Sequence, residues 1–188
     1  MKGRLSIASM ISLIIASIIT VFTLFVPWWG MKFYAPQYPE GLDIIVYPTT
    51  LDGDIDIVNG LNHYIGMAEF NNESFPELQW MPYIVVGFAV LILLVALFRR
   101  KKFLYGLIAV FVAGGIVGLW DMYRWLKDFG MNLDPRAPID LEPFIPPIIG
   151  KNIIANFTTI SYFTYGGYML LLVFILVVYP LWKDRKKP

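Results

Sequence analysis

The chain has no cysteine and a single histidine, His63, among its 188 residues. These shortages leave almost no material for Cys-His, Ser-His-Asp or zinc-water catalysis. They also exclude a haem held by two histidines of this chain. P-loop, glycine-rich nucleotide-loop and nucleophile-elbow motifs are missing as well, so we predict a protein that is not an enzyme.

The lack of cysteine removes two classes of four-helix membrane protein. A quinone-linked thiol reductase needs cysteine pairs, and a claudin-like junction protein needs the cysteine pair of its first outer loop. No disulfide can hold the segments outside the membrane either. Those segments must be held by their own packing, by the membrane helices or by a partner.

Hydrophobic residues, in contrast, make up 57% of the chain, against roughly 45–50% in soluble domains. They concentrate in four runs, each long enough for an α-helix to cross a bilayer. The first run ends in Pro27-Trp28-Trp29, which is no signal-peptidase site, so we expect a retained helix. We therefore predict an all-α membrane protein, a single membrane domain with four transmembrane helices at about 5–29, 81–98, 103–126 and 161–182.

Charge is divided between the two ends of these helices. The chain termini and the link between helices two and three hold ten basic residues and one acidic residue, a net charge of +9. The two outer segments, residues 30–80 and 127–160 with the adjoining helix end, hold five basic and thirteen acidic residues, a net charge of −8. The positive-inside rule then places both termini in the cytoplasm. The basic clusters suit contacts with anionic membrane lipid and need no nucleic-acid partner.

The first outer segment carries both strand and helix signals. Leu42–Tyr47 is rich in β-branched residues, Asp52-Gly53 is a turn signal, and Asp54–Ile57 alternates, so we predict a small β-hairpin. Residues 57–70 fit a helix that places His63 and Met67 on one face. They also fit a bent segment whose glycines let the backbone approach a neighbour closely.

Helix three continues into the second outer segment. Asp121, Arg124 and Asp128 have the spacing of ion pairs on one helix flank at the outer membrane boundary. A proton relay at Asp121 is the less favoured alternative. Gly130 is a natural helix stop, and the prolines that follow favour an extended docking surface or lid.

Gly114 and Gly118 form a GxxxG pair in the same helix. Small residues let membrane helices approach each other closely. The pair fits close packing inside the four-helix bundle, or contact with a second copy or a partner subunit.

Methionine and histidine are the only soft or imidazole metal ligands that the chain offers. The candidate set is His63, Met67 and Met131, with Met122 and Met31 as further candidates near the membrane surface. Thioethers are soft ligands, so a His/Met set without cysteine suits Cu(I) better than zinc or iron. The alternative is that His63 is a hydrogen-bonded structural residue and Met67 a packing residue.

Several stretches of the outer segments together resemble a known family. These are residues 35–42, 59–67, 75–77, 132–139, 146–150 and 156–157, which include Asn62-His63-Tyr64-Ile65-Gly66-Met67 and Asn132-Leu133-Asp134-Pro135. They are similar to a bacterial family of four-helix inner-membrane proteins encoded beside the maturation genes of nitrous oxide reductase. The resemblance covers nearly the whole chain, and the outer segments carry its specificity.

The resemblance implies an inner-membrane protein with periplasmic outer segments. It would assemble nitrous oxide reductase, or supply it with copper or electrons, together with periplasmic or membrane proteins of copper-enzyme assembly. In the family a histidine often stands at the position of Met131. Met131 thus offers a soft thioether where the family has a borderline imidazole. A thioether still suits Cu(I), whereas it is a poor ligand for Cu(II) and cannot act as an acid or base.

Three functions follow from these observations. The leading one is a non-enzymatic accessory protein that binds copper transiently and hands it to a periplasmic partner. The second is a metal-free structural subunit of a larger membrane complex, which docks its partners through the acidic outer side and the proline-rich loop. The third, a quinol-interacting electron-transfer subunit, is the weakest because haem ligands are lacking.

Overall fold

A computed structural model describes residues 4–154 and 156–185 of the chain. Four of its helices are long and apolar enough to cross a membrane, which confirms the prediction of four candidate spans and supports a membrane protein. The helices are α1 (Ile7–Phe22), α2 (Ile55–Ile65), α3 (Glu77–Phe98), α4 (Lys101–Met131) and α5 (Tyr165–Lys183). The strands are β1 (Trp29–Ala35), β2 (Tyr38–Val46), β3 (Leu51–Gly53), β4 (Gly150–Ile154) and β5 (Phe157–Phe163).

Helix α1 is the centre of the bundle and packs against α3 and α5. Its buried face is made mostly of small residues, which let the neighbouring helices come close. Ser17 donates a hydrogen bond to the carbonyl oxygen of Ala89 on α3, at 2.8 Å. Ser12 donates one to the carbonyl of Leu176 on α5, also at 2.8 Å. Such bonds satisfy hydroxyl groups that face no water in a membrane.

The fully buried residues of helix α4 lie near its two ends. Its buried residues are Leu104 and Leu107 near the start and Leu126, Phe129 and Gly130 near the finish. A Cβ atom added at Gly114 or Gly118 would meet nothing within 4 Å. The prediction that these glycines pack closely inside the bundle is therefore wrong for this chain.

The basic end of the bundle gathers the segments around both chain ends. The amide of Leu5 donates to the carbonyl of Arg99 at 2.7 Å, and the Arg99 guanidinium bonds the carbonyl of Leu5. The carboxylate of Asp184 accepts from Ser6 N at 3.0 Å and Ser9 Oγ at 2.7 Å. Lys2, Lys186 and Lys187, which the charge pattern assigns to this end, lie outside the described residues.

At the opposite end a five-stranded antiparallel sheet lies in the order β3-β2-β1-β5-β4. The all-α prediction is therefore wrong: the protein is mixed, and both outer segments contribute strands. The predicted hairpin is present in part, since β2 pairs with β3 and Val46 lies opposite Leu51. Its second strand, however, is at 51–53, because residues from Ile55 onward are helical.

Strands β1 and β5 include residues that were predicted to belong to membrane helices, so those two helices have different ends from the predicted ones. Residues 29–35 form β1, and α1 ends at Phe22 before a short 3₁₀ turn, Thr23–Phe25. Residues 157–163 form β5, so α5 begins only at Tyr165. The alternation of buried and half-buried residues in β5 reflects one face that packs on the core.

We call the sheet, helix α2 and the irregular segments around them the sheet domain. Its core is apolar and lies between the sheet, α2 and the last turns of α4, with Met31, Ile44, Val58, Met67 and Phe129 among its members. The sheet and the membrane bundle are therefore joined through one continuous helix, α4, as well as through β1 and β5.

Candidate functional site

The two outer segments meet at Gly66, the residue that ends helix α2. Gly66 has a φ of 77°, in the left-handed region that favours glycine. The amide of Asp134 donates to its carbonyl oxygen at 2.8 Å, and the amide of Ile139 donates to Tyr64 O at 3.0 Å. A Cβ atom at position 66 would lie 2.8 Å from both the N and O atoms of Asp134. The predicted close backbone approach is thus present at this glycine.

This contact brings together residues 59–67 of the first outer segment and residues 132–139 of the second. We call the surface formed by His63, Tyr64 and residues 134–139 the junction. The Arg136 side chain donates to both carboxylate oxygens of Asp134 at 3.1 Å, and the Arg136 amide donates to one of them at 2.9 Å. The bonds from Arg136 lower the pKa of the Asp134 carboxyl, and the electrostatic influence of the nearby His63 acts in the same direction. His63 therefore lies beside an anionic group.

The predicted metal ligands fall into two groups. His63 is exposed, with its ring edge-on to Tyr64 at a centroid distance of 6.2 Å, and Met131 is also exposed. Met67 and Met31 are buried, and Met122 is half-buried. The prediction of His63 and Met67 on one helical face is wrong, because α2 ends at Ile65 and Met67 follows the left-handed Gly66.

Met31 and Met67 instead line the same small cavity inside the sheet domain, with a volume of about 20 Å³. Phe33, Phe70 and Phe129 are also in its wall. Phe70 stacks on Phe129 at 4.7 Å between ring centroids and meets Phe33 edge-on at 6.5 Å. Asn62 and Thr159 are the polar residues of the lining.

Three polar groups on strands β4 and β5 are buried without a hydrogen-bond partner in the part of the chain that the structure describes. They are Thr159 Oγ1, Ser161 Oγ and Asn152 Nδ2. Thr159 lies opposite Phe33, and Ser161 opposite Met31, in the pairing of β5 with β1. Directly opposed residues share a sheet face, so these polar groups lie on the same face as Met31. Sequence reasoning missed them because it assigned no strand to this stretch.

The predicted ion-pair ladder at the membrane boundary has a different composition. Arg124 pairs with Asp121 at 2.7 Å, as its spacing indicates, and also with Glu77 of α3 at 2.8 Å. The guanidinium lies over the Trp125 ring at 4.8 Å, and Trp125 Nε1 donates to Glu77. Asp128 instead accepts a hydrogen bond from the Asn132 amide. The group ties α4 to α3, which is a structural role.

Among residues 4–154 and 156–185, no three histidine, aspartate or glutamate side chains are grouped closely enough to hold a metal ion. Searches against protein-family models, curated proteins and solved structures find no match to this chain.

Proposed function

We propose that this chain is a non-enzymatic accessory protein of the bacterial inner membrane that handles Cu(I) on the periplasmic side during assembly of nitrous oxide reductase. The observation that carries the proposal is the junction. Two stretches that resemble the maturation family converge there through backbone hydrogen bonds, although they lie in different segments of the chain. Backbone contacts leave the side chains free, and His63 and Tyr64 are both exposed.

An exposed imidazole beside an exposed aromatic ring is suited to contact with a protein partner. Aromatic residues are enriched at the centres of protein interfaces, and a neutral imidazole is also a copper ligand. The acidic residues outnumber the basic ones in the segments at this end, which favours the approach of a cation or of a basic partner. In this proposal the junction docks a periplasmic assembly partner, and His63 takes part in passing the ion.

The test is the copper content of nitrous oxide reductase purified from cells that lack this protein. We expect metal-depleted reductase, restored by the wild-type chain and not by the His63→Ala/Tyr64→Ala variant. Thr49→Ala/Asp52→Ala is the matched control, because these exposed residues lie beside and within strand β3, outside the junction and outside the stretches that carry the resemblance. Fully loaded reductase in the deletion strain would contradict the proposal.

A metal-free subunit of a larger membrane complex is the second candidate function. It is favoured by residues 135–143, which are largely exposed and irregular and are held at Ile139 by a backbone hydrogen bond. Such a segment has little freedom to lose when a partner binds. Purification with stoichiometric partner proteins and without copper, in a mild detergent, would favour this candidate over copper handling.

A further inference from the structure

We propose that the cavity lined by Met31 and Met67 is a Cu(I) site, with the two thioether sulfurs as its ligands and the Thr159 hydroxyl as an additional oxygen donor. This inference deepens the proposed function and rests on it. The ion is placed at two buried methionines and not at the predicted set of His63, Met67 and Met131. Met31 lies on strand β1, and Met67 lies in the segment that follows α2.

The size of the cavity restricts its occupant. A volume of about 20 Å³ accommodates one water molecule or one ion and excludes any organic ligand. The lining residues include no carboxylate and no imidazole. Zn²⁺ and Cu²⁺ prefer such ligands, whereas the soft, singly charged Cu(I) accepts neutral thioethers at low coordination number. The donor set therefore selects for Cu(I).

A buried hydroxyl without a partner is the second observation that points to a bound species. Thr159 is only 3% exposed, and its Oγ1 has no hydrogen-bond partner within the described ranges. An unsatisfied buried hydroxyl costs about 1–3 kcal/mol. A cation in the cavity, or a water bound to it, would satisfy this oxygen.

The rest of the cavity wall is apolar. Phe33, Phe70 and Phe129 line it, with Phe70 stacked on Phe129 and edge-on to Phe33. Phe129 also stacks on Phe75, so these rings are packed on one another and the donors of the site are the methionines and the threonine. Two thioethers and one hydroxyl together form a neutral site for one monovalent soft ion.

The cavity is connected to the junction through a single peptide unit. Gly66, which accepts the Asp134 amide hydrogen bond, is followed directly by Met67. A partner that displaces residues 134–139 from Gly66 would therefore move the backbone that carries one of the two sulfurs. Release of the ion is coupled in this way to docking at the junction.

The experiment is an anaerobic Cu(I) titration of the full chain in lipid nanodiscs, against bicinchoninate as competitor. Met31→Leu, Met67→Leu and the double variant remove the sulfurs, while leucine nearly keeps the side-chain volume. Each single variant should weaken Cu(I) binding at least about tenfold, and the double variant should abolish it. Met122→Leu and Met131→Leu are the matched controls and should bind like the wild type.

Copper-edge X-ray absorption of the selenomethionine-labelled chain gives a readout that needs no cavity variant. We expect two selenium neighbours around copper, unchanged by the Met131→Leu and Met122→Leu substitutions. Absence of selenium neighbours, or wild-type affinity in a folded Met31→Leu/Met67→Leu variant, would overturn the cavity site and leave the proposed function standing. A wild-type chain that binds no Cu(I) at all would overturn both.

Discussion

Gly66 shows how one residue joins the two outer segments. Its positive φ and its contact with the backbone of Asp134 both require the absence of a side chain. Gly60, six residues earlier, needs neither a positive φ nor a missing side chain: it lies inside α2, and a Cβ there would meet nothing within 4 Å. The two glycines of one short helix are therefore under opposite constraints.

We expect Gly66→Ala to destabilise the sheet domain by at least about 1–2 kcal/mol, the cost of a left-handed L-residue before any clash is counted. The amides of Asp134 and Ile139 should lose protection in hydrogen exchange, because both donate to residues at this end of α2. Gly60→Ala is the control and should stabilise by about 0.5–1 kcal/mol. Unchanged protection in Gly66→Ala would contradict the junction.

Thr159 offers a second test at the residue scale. We expect Thr159→Val to raise the free energy of unfolding of the copper-free protein by about 1 kcal/mol, because it removes a buried hydroxyl without a partner. Thr158→Val, on the opposite face of β5, should change it by less than about 0.5 kcal/mol. Chemical unfolding in mixed micelles, followed by tryptophan fluorescence, measures both; a loss of stability in Thr159→Val would argue against an unsatisfied hydroxyl.

At the scale of elements, α1 and α4 differ in how closely they are packed. Ala16 of α1 is fully buried, whereas Gly118 of α4 has open space where a side chain would be. We expect Ala16→Leu to cost about 1–3 kcal/mol by overpacking and Gly118→Ala to cost nothing. The same micelle unfolding assay checks both. Loss of stability in Gly118→Ala would contradict the open space beside α4 at this glycine.

The elements also show what the sequence could and could not predict. The four spans follow from local length and hydropathy, so they were recognisable. β1 and β5 were missed because their residues adjoin apolar runs, and Trp29 and Ser161 were assigned to helices. Their pairing joins Met31 to Ser161 across most of the chain, and no local pattern signals such a contact.

The candidate site was predictable only in parts. The shortage of soft ligands identifies Met31 and Met67 as candidates, and the glycine at 66 indicates a close backbone approach. That Met31 and Met67 line one cavity depends on the inward face of β1 and on the helix stop at Gly66. The inward face of β1 depends on the register of the sheet, because a shift of one residue would turn Met31 to the opposite face.

At the scale of the whole molecule, the prediction concerns orientation in the membrane. The chain contains no cysteine, so a single introduced cysteine can be labelled without background. Asn71→Cys lies in the segment between α2 and α3, and Lys102→Cys at the opposite, basic end; both positions are exposed. In intact spheroplasts a membrane-impermeant maleimide should label Asn71→Cys, because the positive-inside rule predicts that the basic end faces the cytoplasm. Labelling of Lys102→Cys without lysis would reverse the orientation.

The pairing of β1 with β5 also has a consequence for biosynthesis. Strand β1, which carries Met31, gains β5 as its second neighbour only when residues 157–163 have been translated and, in the predicted orientation, moved across the bilayer. Until then β1 keeps an open edge, and open edges pair readily with other chains. Completion of the sheet therefore reports that every preceding span has been inserted. A product truncated before Phe157 would keep the open edge of β1, which a membrane protease could recognise.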